Sequence, residues 1–120
     1  MYRLNPTPST NLIESTLAGF LTPAEVADYD QALLKLFSGR ALQPRYRMLI
    51  DLSGCAIQSQ EVIAALQAHV RGMPKARRIA IVTGSSMIRM QVRRVMTQSY
   101  MRTFEHRPDA QDWLERDEAA

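Results

Sequence analysis

Twelve residues, Arg78-Ile79-Ala80-Ile81-Val82-Thr83-Gly84-Ser85-Ser86-Met87-Ile88-Arg89, constrain this chain more than any other stretch. A short apolar run ends in Thr-Gly-Ser-Ser and passes directly into a helical pattern. That order predicts a buried parallel strand, a tight loop and a helix N-terminus. Such a junction puts unpaired backbone N–H groups, two hydroxyls and the positive end of a helix dipole where α/β proteins bind their ligands. It points to a fold more sharply than to a ligand.

The same alternation runs through the rest of the sequence. Residues 1–4 and 12–17 read as strands joined by the turn-rich segment 5–11, and so short a connection favours antiparallel pairing. Ile13, Ser15 and Leu17 alternate with Glu14 and Thr16, as on a half-exposed edge strand. Thr22-Pro23-Ala24-Glu25 is a helix start: Thr22 caps, Pro23 suits the first helical position and Glu25 completes a capping box. Val26, Tyr29, Leu33, Leu36 and Phe37 then form one apolar stripe, which Gly39 ends. A strand is expected over 46–52. Ser59 caps a second helix with Ile63, Leu66 and Val70 inward, closed by Gly72 and Pro74. After the strand at 78–82 a third helix is expected over 87–100, with Ile88, Val92, Val95 and Met96 inward and Arg89 and Arg93 facing away. Residues 101–104 read as a last strand, and Pro108 opens a terminal helix burying Ala110, Trp113 and Leu114.

The order is ββαβαβαβα. It predicts a single α/β domain over residues 1–120, with about five strands in a mostly parallel sheet. The N-terminal hairpin gives that sheet a mixed edge, and about four helices cover both faces.

With 120 residues, 46% hydrophobic and 22% charged, the chain can bury one ordinary core. No apolar run approaches the length of a transmembrane helix, and no basic-then-apolar start suggests a secretory signal. One cysteine, Cys55, leaves no intramolecular disulfide, so a reducing, cytoplasmic setting is the default expectation.

Charge is uneven. From residue 71 to 107 there are nine basic residues and one acid, Glu105, and the remainder is net acidic. Solvated helix faces explain this, as does an anionic partner. Only Tyr100 and Phe104 stand among the arginines, too few for a stacking surface, which disfavours nucleic acid.

The segments G-F-L-T-P-A-E-V (19–26), R-M-L-I-D-L-S-G (47–54), A-I-V-T-G-S-S-M-I-R-M-Q-V-R-R (80–94) and F-E-H-R-P-D-A-Q-D-W-L (104–114) carry a family likeness. In that order and spacing they resemble the STAS-like proteins related to the anti-sigma-factor antagonist SpoIIAA, a group that shares a general shape with lipid-carrying domains. The resemblance implies a small sheet flanked by helices and a regulatory role. In better-understood relatives a serine at the start of the helix after the D-L-S-G strand is phosphorylated by a partner kinase, which switches binding of a protein partner. The matching position is Ser59. The relatives usually place an aspartate before that serine; here Gln58 stands there.

Each candidate residue has a structural and a functional reading. Ser59 caps a helix or carries a phosphate on the helix dipole. Gly84, Ser85 and Ser86 make a turn and a cap, or capture an anion with Arg89 or Arg93. Neither a Walker pattern nor G-x-G-x-x-G accompanies them. Asp51 accepts bonds from the Ser53-Gly54 turn. His69, His106 and Cys55 have no companions at metal-ligand or nucleophile spacing, so the residues call for no metal, no cofactor and no enzyme. An active site would need Asp51, His69 and Cys55 to converge in space. Met87 and Met90 lie off the inner stripe, where they would line an apolar groove or a homodimer surface.

The expectation is a non-catalytic regulatory or binding module. It engages a protein partner or a small anionic ligand at the carboxyl edge of the parallel strands. Ser53, Gly54 and Gln58 form the partner surface, and Gly84, Ser85, Ser86, Arg89 and Arg93 form the anion site. The alternative is a lipid or acyl-chain carrier with an apolar pocket of a few hundred Å³.

Overall fold

The computed structural model describes residues 1–116. Its elements are β1 (Tyr2–Thr7), a single 3₁₀ turn (Pro8–Thr10), β2 (Leu12–Leu17), α1 (Pro23–Ser38), β3 (Arg47–Asp51), α2 (Gln60–Gly72), β4 (Arg78–Val82), α3 (Ser86–Val95), β5 (Met101–Phe104) and α4 (Arg107–Arg116). The five strands form one sheet in spatial order β1-β2-β3-β4-β5. The first pair is antiparallel and the other three are parallel, which is the mixed edge expected.

Strand order decides where the helices lie. Each crossover from β2 to β5 joins adjacent strands, and right-handed crossovers that all step the same way put their helices on one face. So α1, α2 and α3 cover one side of the sheet. Their core includes Ile13, Leu17, Val26, Leu33, Met48, Ile50, Ile79, Ile81, Ile88 and Val92. Among the described helices only α4, following β5, crosses to the other side, where Ala110 and Leu114 pack on Leu49, Ala80 and Val82. Both faces are covered, three helices against one.

Arginines fasten α4. Arg47 donates to the Leu114 carbonyl at 3.0 Å and Arg78 to the Trp113 carbonyl at 2.7 Å, satisfying two C-terminal carbonyls of the helix. The Arg78 guanidinium also lies 4.6 Å from the Trp113 ring centre. At the other end Arg107 grips Glu14 and Asp51 on neighbouring strands.

Two element ends differ from expectation. β1 continues through Pro6 to Thr7, and the reversal is made by the 3₁₀ turn and Asn11 at φ 51°. Pro6 is tolerated because β1 is an edge strand, where a missing N–H need not break a ladder. α3 stops at Val95, not near Tyr100. Met96 takes extended dihedrals (φ −122°, ψ 116°), and the following residues carry the Tyr100 carbonyl to the N–H of Ile79 at 2.9 Å.

One polar pair sits inside the main core. Ser15, 1% exposed, shares a 2.8 Å hydrogen bond with the Tyr29 hydroxyl. Burial pushes the Tyr29 phenol up to about 12, while the bond to Ser15 opposes the rise. A proton held more tightly in the folded state stabilises the fold fully below pH 10, and that contribution is lost as pH rises toward 12. Tyr29→Phe is expected to cost about 1–2 kcal/mol, because Ser15 is left buried without its partner. It is also expected to flatten the stability profile between pH 10 and 12. Urea melts of both proteins across that range are the check.

Candidate functional site

Because β2, β3 and β4 run the same way, the loops that follow them gather on one edge. Backbone bonds extend the sheet past the strand ends there. Gly19 N–H reaches the Gly54 carbonyl at 2.9 Å, and Ala56 N–H reaches the Gly19 carbonyl at 3.1 Å. Gly19 has φ +70°, a conformation that L side chains rarely adopt, so this crossing point calls for glycine.

Gln58 locks the loops together. Its Oε1 accepts the Leu21 N–H at 2.8 Å, and its Nε2 donates to the Gly19 carbonyl at 2.9 Å and the Ala56 carbonyl at 2.6 Å. Its backbone forms a reciprocal pair with α3: Gln58 N–H to Gln91 Oε1 at 2.8 Å, and Gln91 Nε2 to the Gln58 carbonyl at 2.9 Å. An aspartate there could accept the Leu21 bond but could not donate to the two carbonyls. Gln58 was expected to face a partner. Its side chain is instead turned inward as a clasp.

Ser59, beside it, is exposed and caps α2, with Oγ accepting the Val62 N–H at 3.2 Å. Ser53 and Gly54 are exposed in the same β3–α2 loop. At the next junction, buried Thr83 accepts the Ser85 N–H at 3.2 Å, and Ser85 caps α3 by accepting the Ile88 N–H at 3.2 Å. Gly84, Ser85 and Ser86 are exposed at this helix start. Arg89 is half-buried and reaches Glu105 at 3.5 Å, so an acid of the chain itself already faces that guanidinium. Arg93, exposed, lies a turn further along α3.

The most telling feature of this rim is apolar. The large hydrophobic side chains left exposed among the described residues are Met1 (60%), Phe20 (77%), Ile57 (45%), Met87 (58%) and Met90 (58%). Phe20 follows β2, Ile57 follows β3, and Met87 and Met90 open the helix after β4. Met1 joins them because antiparallel pairing sets the start of β1 beside the end of β2; the Ala18 N–H donates to the Met1 carbonyl at 2.9 Å. Sequence reading found Met87 and Met90 from their place off the helical stripe. It missed Phe20 and Ile57, which stand in loops with no period to betray them.

Asp51, His69 and Cys55 do not converge. Asp51 faces the α4 side, accepting the Ser53 N–H at 2.9 Å and Arg107 at 3.0 Å. Burial works against its charge, but the Ser53 bonds and the Arg107 guanidinium outweigh this and hold its carboxyl below the usual value. Cys55 lies on the opposite side of the sheet, where burial pushes its thiol up, away from the reactive thiolate. His69, expected to be an ordinary polar helix position, is bonded through Nδ1 to Asp30 of α1 at 2.6 Å, and its side chain is 9% exposed. His106 is exposed in the β5–α4 loop.

Between the sheet and helices α1–α3 lies a mostly apolar cavity of about 100 Å³. Its wall includes Met48, Ile81, Val92, Met96, Cys55 and His69. Among the described residues no helix is long and apolar enough to cross a membrane.

The fold has counterparts among solved structures. An uncharacterized protein with a SpoIIAA-like fold from Shewanella loihica PV-4 superposes with a TM-score of 0.71 at 20% identity, covering 94% of this chain and 93% of that one. An anti-sigma factor antagonist from Mycobacterium paratuberculosis superposes with a TM-score of 0.65 at 12% identity, covering 96% and 95%. Among curated proteins nothing matches. The SpoIIAA-like family model matches residues 12–115, nearly the whole described fold, and the chain belongs to that family.

Proposed function

We propose that this protein is a non-catalytic regulatory module that docks a protein partner on the carboxyl rim of its parallel strands. The observation that carries the reading is the clustering of Phe20, Ile57, Met87 and Met90 on the loops and the helix start that follow three consecutive strands. Exposed apolar side chains are ordinary when scattered; gathered on one end of a small domain they mark an interaction surface. Backbone bonds and the Gln58 clasp hold two of these loops and α3 in fixed relation, so the patch is ordered before it meets anything. Arg93 and Arg94, exposed further along α3, favour a partner with acidic residues flanking an apolar anchor. Gly84, Ser85, Ser86 and Arg89 would receive one of those acids at the helix start.

Ser59 supplies the switch. A phosphate on its hydroxyl would rest on the α2 dipole, two residues from Ile57, and charge the patch. Docking and release would then follow the phosphorylation state. The anti-sigma factor antagonist that shares this fold offers a parallel for a regulatory, protein-docking role.

A photo-crosslinking residue at position 20, 57 or 87, in the protein expressed in its own cells, is expected to trap one protein species. The same residue at exposed Gln111 on α4 is expected to trap none. Adducts from Gln111 alone, or none from the rim, would sink the reading. Mass spectrometry of the same preparation reads phosphate on Ser59.

A second reading, carriage of a lipid or acyl chain, draws on the cavity. Its volume of about 100 Å³ falls short of the few hundred Å³ that such a cargo requires, so α2 or α3 would have to swing outward to admit one. Lipid detected in native mass spectra of the purified protein would support it.

A further inference from the structure

We infer that the cavity beneath α2 is a binding site for a small apolar molecule carrying one hydroxyl, and that His69 is the residue that selects the hydroxyl.

The cavity wall is largely aliphatic and thioether, so its main attraction is for apolar surface. At about 100 Å³ it is smaller than the engineered apolar cavity of about 150 Å³ that takes benzene, so its guest is limited to roughly one ring. Met48, Met73 and Met96 are in the wall, and unbranched methionines yield to an irregular guest at little cost.

The polar groups of the wall are mostly committed. The Tyr29 hydroxyl is bonded to Ser15, the Tyr46 hydroxyl donates to the Pro74 carbonyl at 3.1 Å, and Gln58 and Gln91 bond each other. His69 differs. Its Nδ1 is fixed by Asp30 at 2.6 Å, its ring is braced 5.2 Å from the Tyr29 ring, and none of the described residues bonds its Nε2. An imidazole that donates from Nδ1 to a carboxylate keeps, when neutral, a bare lone pair on Nε2. That lone pair accepts from an O–H. A nine-tenths buried ring, oriented by a carboxylate and forming part of an apolar wall, is a preset acceptor for a phenol or a short alcohol. A hydrocarbon of the same shape leaves it unanswered.

This site lies on the side of Gln58 and Gln91 that faces away from the exposed rim residues Phe20, Ile57, Met87 and Met90, none of which lines it, and its test does not depend on any partner. Phenol and benzene are titrated into the full chain, followed by methyl NMR shifts of Ile81 and Val92 and by the His69 ring nitrogen resonances. In a wholly apolar cavity benzene wins, because phenol must bury an unpaired hydroxyl. On the native protein phenol is expected to bind at least about threefold more tightly than benzene and to move the Nε2 resonance. His69→Leu is expected to reverse the preference. Tighter binding of benzene to the native chain, or no shift from either compound up to its aqueous solubility, would overturn the assignment. The native comparison stands even if the variant fails to fold.

Discussion

Gln58→Ala is expected to cost about 3 kcal/mol and to set the rim loops free of one another. The side chain satisfies the Leu21 N–H and the carbonyls of Gly19 and Ala56, groups that are partly shielded from water. Losing a partner for a buried polar group costs about 1–3 kcal/mol, and water entering the vacated space recovers part of that sum. A domain of this size should melt about 10 °C lower. The more specific expectation lies in amide exchange. Leu21 and Ala56 should lose protection while the β3 and β4 amides keep theirs, because the reciprocal bond between the Gln58 backbone and Gln91 survives the substitution. Gln58→Glu separates shape from donation. It can still accept from Leu21 but faces two carbonyls with a carboxylate, so it should be no better than alanine. Uniform loss of protection across the sheet, or a change in melting of less than a degree, would mean that Gln58 does not hold the loops.

Leu33→Ala is expected to be the more costly change overall, about 2–5 kcal/mol, because it empties a fully buried site in the core between α1 and the sheet. Against a total stability of about 10 kcal/mol this removes a large share. The other face gives the contrast. Leu114 belongs to the small cluster under α4, where Ala110, Leu49, Ala80 and Val82 are its buried companions. Leu114→Ala should loosen α4 ahead of the rest, raising exchange in residues 107–116 while the sheet stays protected. Urea melts and exchange rates measured together tell a global loss from a local one.

The parts of the structure that were legible in the sequence are those fixed by neighbours in the chain. The capping box of Thr22 and Glu25 and the cap at Ser59 depend on residues three apart and are formed; of the two serines open to cap α3, Ser85 does so. Strands β3, β4 and β5 announced themselves as short apolar or β-prone runs between turn residues. The end of α3 did not, because residues 96–100 contain neither glycine nor proline; the helix yields to the need to pair Tyr100 with Ile79. Longer reaches were hidden altogether. Asp30 and His69 are 39 residues apart, and Gln58 meets Gly19 across the same separation. A glutamine where the family resemblance leads one to expect an aspartate looked like a lost acid. In the fold it is a gained donor.

The solitary position of α4 has a bearing on how the protein is made. Synthesis runs from the N-terminus, so the hairpin, the three crossover helices and all five strands leave the ribosome before the last helix does. Until it arrives, Leu49, Ala80 and Val82 form a water-facing strip on an otherwise finished sheet. A stalled or clipped chain ending near residue 106 would keep that strip bare, which is the kind of surface chaperones and proteases recognise.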